Sequence, residues 1–175
     1  AGLLATAPSL LLPILILNLV SAADTAYYYI VYSISSVIHM IPSAVSISLY
    51  VEGSHGEDLR NSTIKSIFAI VVLLFPILII ILLFGNDILR VFGEGYVQGF
   101  ELLCFMTASA LFISINQIFN SILKIKKRNI GLVTLGLLNS TLLLGLSYYL
   151  IKLFGMIGVG YAWLISSICC TGIIL

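Results

Sequence analysis

Residues 67–84 are eighteen consecutive apolar residues, with Pro76 near the middle of the run. In hydrocarbon, every backbone N–H and C=O must be satisfied inside the protein, which leaves a spanning segment the choice of helix or closed barrel. About 20 apolar residues in a helix cross a core of ~30 Å, so this run reads as a transmembrane helix. The rest of the chain must then be compatible with a helical membrane bundle. Composition agrees: 61% of the 175 residues are hydrophobic and 9% are charged, at a mean hydropathy of +1.19. A soluble domain carries roughly 25% charged residues. The net charge of +1 is uninformative in sign, and no basic patch points to a nucleic-acid partner.

Hydrophobic runs and their punctuation predict an all-α integral membrane protein, a six-transmembrane-helix bundle in one lobe, with spans at about 2–20, 24–50, 64–84, 100–123, 130–153 and 156–175. The first span carries Pro8 and Pro13, tolerated in a membrane where neighbouring helices re-satisfy the freed backbone. The turn at 21–24 is short enough to make the first two spans an antiparallel hairpin. Residues 52–61 form the most hydrophilic stretch and read as a loop. His55 lies there beside Glu52, Glu57 and Asp58, but the spacing fits no metal motif and a solvated loop is the expectation. After the third span, Asp87 is placed to cap a short interfacial helix through Ile88, Leu89, Val91 and Phe92, ended by Gly93 and Gly95. Gly158 and Ala162 are a small-xxx-small pair that lets helices approach closely. Cys104, Cys169 and Cys170 all lie in apolar runs, where free cysteine acts as a small hydrophobe.

The second span holds the polar content that organises the rest. Asp24, Tyr28, Tyr32, Ser35, His39, Ser43, Ser46 and Tyr50 recur every three or four residues and so share one face. Such a stripe should face protein or water rather than lipid. The plainer alternative is that the serines bond back to their own helix and the tyrosines pack. Pro42 should kink this span and free a carbonyl near His39. Asn18, near the end of the first span, is positioned to bond to the second or to mark the interface. Asn116, Gln117 and Asn120 put three amides in the fourth span, which need a partner helix or water in a cavity. His39 is the one ionisable side chain at depth apart from the tyrosines.

Lys124, Lys126, Lys127 and Arg128 follow the fourth span at once. Placing them in the cytoplasm puts Arg60 and Lys65 there by alternation, with Arg90 and Lys152 outside, so both ends of this piece face the cytoplasm. Glycosylation at the Asn61-Ser62-Thr63 sequon is then not expected. No Lys, Arg or Glu sits mid-span, and nucleophile-elbow, HExxH and phosphate-loop patterns are absent, so neither catalysis nor a cofactor is expected. Bent helices with tyrosines, hydroxyls and amides fit a transporter, where aromatic faces stack on sugar rings and polar groups bond to them. The sequence begins without Met and ends inside an apolar run, which suggests a piece of a longer polypeptide. The first run lacks a basic leader and is too long for a cleavable signal peptide.

The stretches IPSAVSISLYVEGSH at 41–55, LFGNDILRVFGEGY at 83–96, ILKIKKRN at 122–129 and FGMIGVGYAW at 154–163 resemble, in order and spacing, the second half of the polysaccharide and O-antigen flippases. These belong to the multidrug/oligosaccharidyl-lipid/polysaccharide exporter superfamily. The resemblance implies two six-helix lobes around a central cavity, with this chain as the C-terminal lobe and the N-terminal lobe as its partner. It implies a plasma-membrane protein that moves a polyprenyl-linked oligosaccharide to the outer leaflet by alternating access for cell-surface polysaccharide or lipopolysaccharide synthesis. A polymerase and glycosyltransferases are the further partners it suggests. Asn18, Tyr28, Tyr32, His39, Asn116 and Asn120 become the substrate-cavity candidates. With no basic residue at depth, the phosphates would be held by the absent lobe or by Arg60, Lys65 and Lys124 at the rim. A drug or small-cation exporter, expected to show a deep acidic residue, and a non-transporting membrane subunit of an assembly complex are the alternatives.

Overall fold

The computed structural model describes residues 2–55 and 58–174. Among these there is no strand, and six α-helices follow one another: α1 (Gly2–Leu19), α2 (Ala22–Ser54), α3 (Leu59–Arg90), then a 3-10 turn over Glu94–Gly99, α4 (Phe100–Ile125), α5 (Asn129–Phe154) and α6 (Ile157–Ile174). Five helices are long and apolar enough to cross a membrane, and Ala7–Leu19 is a shorter apolar helix beside them. The chain is that of a helical, multi-pass membrane protein.

Two expectations about the polar connections need correction. The hydrophilic stretch 52–61 is mostly helix: α2 runs unbroken through Pro42 to Ser54, and α3 starts at Leu59. Asp58 caps α3 by accepting the Arg60 amide at 3.1 Å, and the His55 ring bonds to the Val51 carbonyl of its own helix. Glu57 lies outside the described residues. The separate helix after the third span does not form either, because α3 continues through Gly85 and Asp87 to Arg90. Gly85 acts there as a seat for the Phe100 ring, whose edge would lie 2.8 Å from an added Cβ, and not as a break. Asp87 pairs with Arg90 at 3.4 Å instead of capping.

Five helices close into a ring in the order α1, α2, α4, α6, α5, each packed on the next and α5 returning to α1. The sixth, α3, lies outside against α2 and α4. The α1–α2 corner is tight because Ser21 caps α2, accepting the Asp24 amide at 3.0 Å while its hydroxyl meets the Asp24 carboxylate. The α5–α6 corner turns on Gly155, at φ 61°, where an L side chain is disfavoured. Gly158 then brings α6 onto the α5 backbone. A Cβ there would fall 2.8 Å from the Ile151 nitrogen and closer still to the Leu150 carbonyl. Ala162, one turn on, is fully buried. Gly160 likewise admits Leu102 and Phe105 of α4 at 3.0 Å. With the edge-on Tyr27–Tyr96 pair at 5.2 Å and the Phe105–Tyr161 pair at 4.6 Å, one end of the ring is filled by aromatic rings and close backbones.

The opposite end is basic. Lys126 ends α4, and the Lys127 and Arg128 amides reach back to the Lys124 and Leu123 carbonyls at 3.0 and 2.9 Å. That is the Schellman pattern, whose left-handed position usually carries glycine. Here it is Lys127, at φ 52°, a conformation that costs an L residue about 1–2 kcal/mol.

If the approach at Gly158 holds the closed end together, Gly158→Ala should destabilise the folded protein by about 1–3 kcal/mol through overpacking against rigid backbone. Gly145→Ala, in the same hairpin but with nothing within 4 Å of its added Cβ, should be neutral or slightly stabilising. Thermal midpoints of the two variants in detergent would check the pair.

Candidate functional site

The ring encloses a cavity of about 500 Å³, to which every ring helix contributes. Pro8 and Ser9 of α1, Tyr32, His39 and Ser43 of α2, and Asn116, Gln117, Asn120 and Lys124 of α4 line one side. Asn139 and Ser140 of α5 and Trp163, Ser166, Ser167 and Cys170 of α6 line the other. Along α4 the lining runs down to Lys124 at the basic end, so the mouth is basic. The other limit lies at Tyr32, His39 and Trp163, about midway along α2 and just below the glycine-tight end.

That inner wall is aromatic. The His39 and Trp163 rings stack with centroids 5.6 Å apart and planes 28° from parallel, and Tyr32 leans on Trp163 at 6.5 Å. His39 donates from Nε2 to the Met106 carbonyl of α4 at 3.1 Å, which orients the ring across the α2–α4 seam. Pro42 removes an amide donor from the turn that follows, and the Ser43 hydroxyl donates to the His39 carbonyl at 3.0 Å.

Along the sides, some amides bind helices and others do not. Asn116 donates to the Ser167 carbonyl at 3.4 Å and accepts from the Thr171 hydroxyl at 3.3 Å, joining α4 to α6. Gln117 donates to the Ser43 hydroxyl at 3.4 Å, and Ser121 donates to the Ser46 carbonyl at 2.7 Å, joining α4 to α2. Interhelical bonds of this kind are worth about 0.6 kcal/mol each in membranes. They fix helix registry more than they hold the ring together. Asn120 and Lys124 line the cavity with no side-chain hydrogen bond or ion pair to a described residue.

Of the residues singled out from sequence, Tyr32, His39, Asn116, Asn120 and Lys124 meet in this cavity. Tyr28 does not line it: fully buried, it stacks behind Tyr32 at 5.7 Å, and its hydroxyl has no partner. Asn18 is exposed and donates to the Ile14 carbonyl of its own helix at 2.8 Å, not to α2. Arg60 and Lys65 are exposed on α3, outside the ring. The α2 stripe faces protein over most of its length: Tyr28, Ser35 and Ser46 are buried, while Tyr50 is exposed. Of its serines, Ser43 bonds to a carbonyl of its own helix, whereas the Ser35 and Ser46 hydroxyls have no partner.

Trp163 was not marked by sequence reasoning. It is the chain's single tryptophan, placed in a helix of small residues that otherwise packs closely, and that contrast was the available signal. Its indole nitrogen is buried without an acceptor, and the Tyr28, Ser35, Ser46 and Ser147 hydroxyls are buried without a partner. Comparison of the chain with protein-family models, curated proteins and solved structures returned no match.

Cysteine accessibility should report the direction of opening. In a background with Cys104, Cys169 and Cys170 changed to alanine, Asn120→Cys should react readily with a charged, membrane-impermeant thiol reagent applied from the Lys124 side. Tyr28→Cys should stay unlabelled from either side. Equal labelling of both would show that the cavity has no closed end.

Proposed function

We propose that the protein is a flippase lobe that carries a polyprenyl-linked oligosaccharide from the inner to the outer leaflet of the plasma membrane. The observation that carries this reading is the cavity inside the helical ring, with hydroxyl and amide sides, an aromatic inner wall and Lys124 at its mouth. Sugars present apolar ring faces and a surround of hydroxyls. Stacking on Trp163 and His39, with Asn116, Asn120 and Ser167 alongside, answers both. The volume of about 500 Å³ lies within the roughly 300–1,000 Å³ of small-molecule sites and suits one or two sugar residues at a time.

The basic mouth separates this from the cation-exporter reading. A cationic drug would meet Lys124 at the entrance, whereas the phosphate of a lipid-linked sugar would be drawn to it. With the Lys124 end in the cytoplasm, as positive charge in loops favours, the present shape is open inward and sealed outward at Gly158 and Gly160. Alternating access then requires the glycine-tight end to part while the Lys124 end closes. The resemblance to the exporter superfamily adds a second lobe across from this one and six spans for the lobe itself, α1 included.

In cells deprived of the protein, lipid-linked oligosaccharide should accumulate and stay protected from an impermeant glycosidase. Restoring the gene should return it to the outer leaflet, while Trp163→Ala and Lys124→Gln should each cut the transported fraction about tenfold or more. Arg60→Gln, outside the ring, should behave as the unsubstituted protein. Unchanged level and accessibility on deletion would remove the flippase reading.

A further inference from the structure

The end of the ring opposite Lys124 is crossed by a strap. After α3 the chain turns at Gly93, at φ 132°, runs through the 3-10 turn Glu94–Gly99 and enters α4 at Phe100. Three side chains are seated along it where glycine leaves room. The Phe100 ring lies on Gly85, the Tyr27 hydroxyl on Gly95 and Val31 on Gly99, at 2.8, 2.8 and 2.7 Å from the position of an added Cβ. Tyr96 meets Tyr27 edge-on at 5.2 Å and leans on Phe92 at 6.5 Å. Arg90 reaches Asp87 and Glu94 at 3.4 and 3.5 Å, but these ion pairs are exposed and add little. The attachment therefore rests on the rings and the glycine seats. Tyr27 and Val31 both belong to the outer part of α2, so the strap holds that part, anchored by α3 from outside the ring.

What fastens α2 changes along its length. Among the described residues, the side-chain hydrogen bonds between α2 and α4 run from His39 toward the basic end. His39 meets the Met106 carbonyl at 3.1 Å, Gln117 the Ser43 hydroxyl at 3.4 Å and Ser121 the Ser46 carbonyl at 2.7 Å. From Ala22 to Ile38 none is found between the two helices. The change falls beside Pro42, which removes one amide donor from the helix and weakens it locally. At the level of the aromatic wall α2 meets α6 ring to ring, Tyr32 on Trp163 at 6.5 Å, a contact that parts without breaking a hydrogen bond. Tyr28 and Ser35, in the same outer part, are buried with hydroxyls that have no partner. Parting there would hydrate groups that closure leaves unsatisfied. On the other side of the ring, α6 rests on the α5 backbone at Gly158, where nothing can give.

We infer that the 3-10 strap is the outer latch of the ring. Release of Tyr27 and Val31 from Gly95 and Gly99 lets the outer part of α2 swing about the turn at Pro42, away from Trp163, and opens the cavity to the outer side. The inference rests on the flippase reading and deepens it, because it locates the parting that alternating access requires. The outer end of α1 travels with α2, to which the Ser21 cap ties it. The α4, α6 and α5 side stays packed as a fixed wall, and the bonds at Ser43 and Ser46 stay made.

The test uses the full protein with Cys104, Cys169 and Cys170 changed to alanine, and a membrane-impermeant maleimide applied from the outer side of cells. Ser35→Cys is the reporter, since Ser35 is fully buried with the latch shut. It should react slowly by itself and at least tenfold faster when Tyr96→Ala removes the ring that abuts Tyr27. Tyr96→Phe keeps the ring and should leave the rate low. A rate unchanged by Tyr96→Ala, or raised equally by Tyr96→Phe, would overturn the latch. A second pair guards against simple unfolding of the alanine variant. An added Cβ at Gly99 lies 2.7 Å from a Val31 methyl carbon, so Val31→Cys/Gly99→Cys brings two Cβ atoms to the separation a disulfide needs. Oxidation of that pair should cut both the Ser35→Cys labelling rate and oligosaccharide translocation at least tenfold, with recovery on reduction. Labelling and translocation that persist with the disulfide formed would overturn the latch as well. The two readings fail separately: latch-dependent labelling in a protein that moves no oligosaccharide would sink the flippase alone.

Discussion

The approach of α6 to α5 at Gly158 governs the shape of the whole ring. Without a side chain at that position, the Leu150 carbonyl and the Ile151 nitrogen sit against the α6 backbone, closer than any other residue would permit. Gly160 repeats the effect toward α4 on the next face. Lipid offers helices no hydrophobic drive to associate, so such close van der Waals packing is a principal source of their affinity. Most of the close glycine approaches, at Gly85, Gly95, Gly99, Gly158 and Gly160, lie at one end of the ring, and Gly53 makes another against Ile125 at the opposite end. The cavity lies inside the ring, and its basic mouth follows from where α4 ends at Lys124.

Polar side chains in the ring are distributed by what each can reach. Ser33, Ser36 and Thr141 bond to carbonyls one turn back and remain at exposed positions on their helices. Asn116, Gln117 and Ser121 reach across seams, at distances from 2.7 to 3.4 Å. Tyr28, Ser35, Ser147 and Trp163 do neither with their side chains, nor does the Ser46 hydroxyl, and an unsatisfied polar group in hydrocarbon is costly. Trp163 belongs to the aromatic wall and Tyr28 stacks behind it on Tyr32. A protein built only to pack its helices would gain by replacing them with apolar residues of similar size.

The fold was legible in the sequence to the extent that lipid dictates it. Long apolar runs mark α2 through α6, and the Gly158–Ala162 pair announced a close crossing. What failed to read was the extent of helices beyond the apolar core. Residues 52–54 and 85–90 look like loop by polarity, yet α2 and α3 continue through them, since their side chains are solvated or paired locally, as Arg90 is with Asp87. Periodicity placed Tyr32 and His39 correctly on one face of α2. It could not tell that Tyr28, on that same face, lies behind the cavity wall, because depth depends on which helix packs at each level. Trp163 and the lining of α5 escaped for a related reason: α5 and α6 are apolar nearly all round, so no single face identifies itself. Asn18 sits at the end of α1, where its amide can turn back on its own helix.

The position of α3 accounts for the apolar run at 67–84. The five other helices complete the ring, so α3 has no cavity face to furnish and braces the seam between α2 and α4 from outside. Its small polar residues, Ser62 and Ser66, are buried near its start, and beyond them Phe68, Phe75, Leu82 and Leu83 stand more than half exposed along the apolar stretch. The residues seated deepest against its neighbours, Leu74 and Leu89, belong to the narrow face that meets them. A helix in that place is selected only for lipid on one side and packing on the other. The eighteen-residue apolar run is the consequence, and polar residues gather on the helices that have an interior to line.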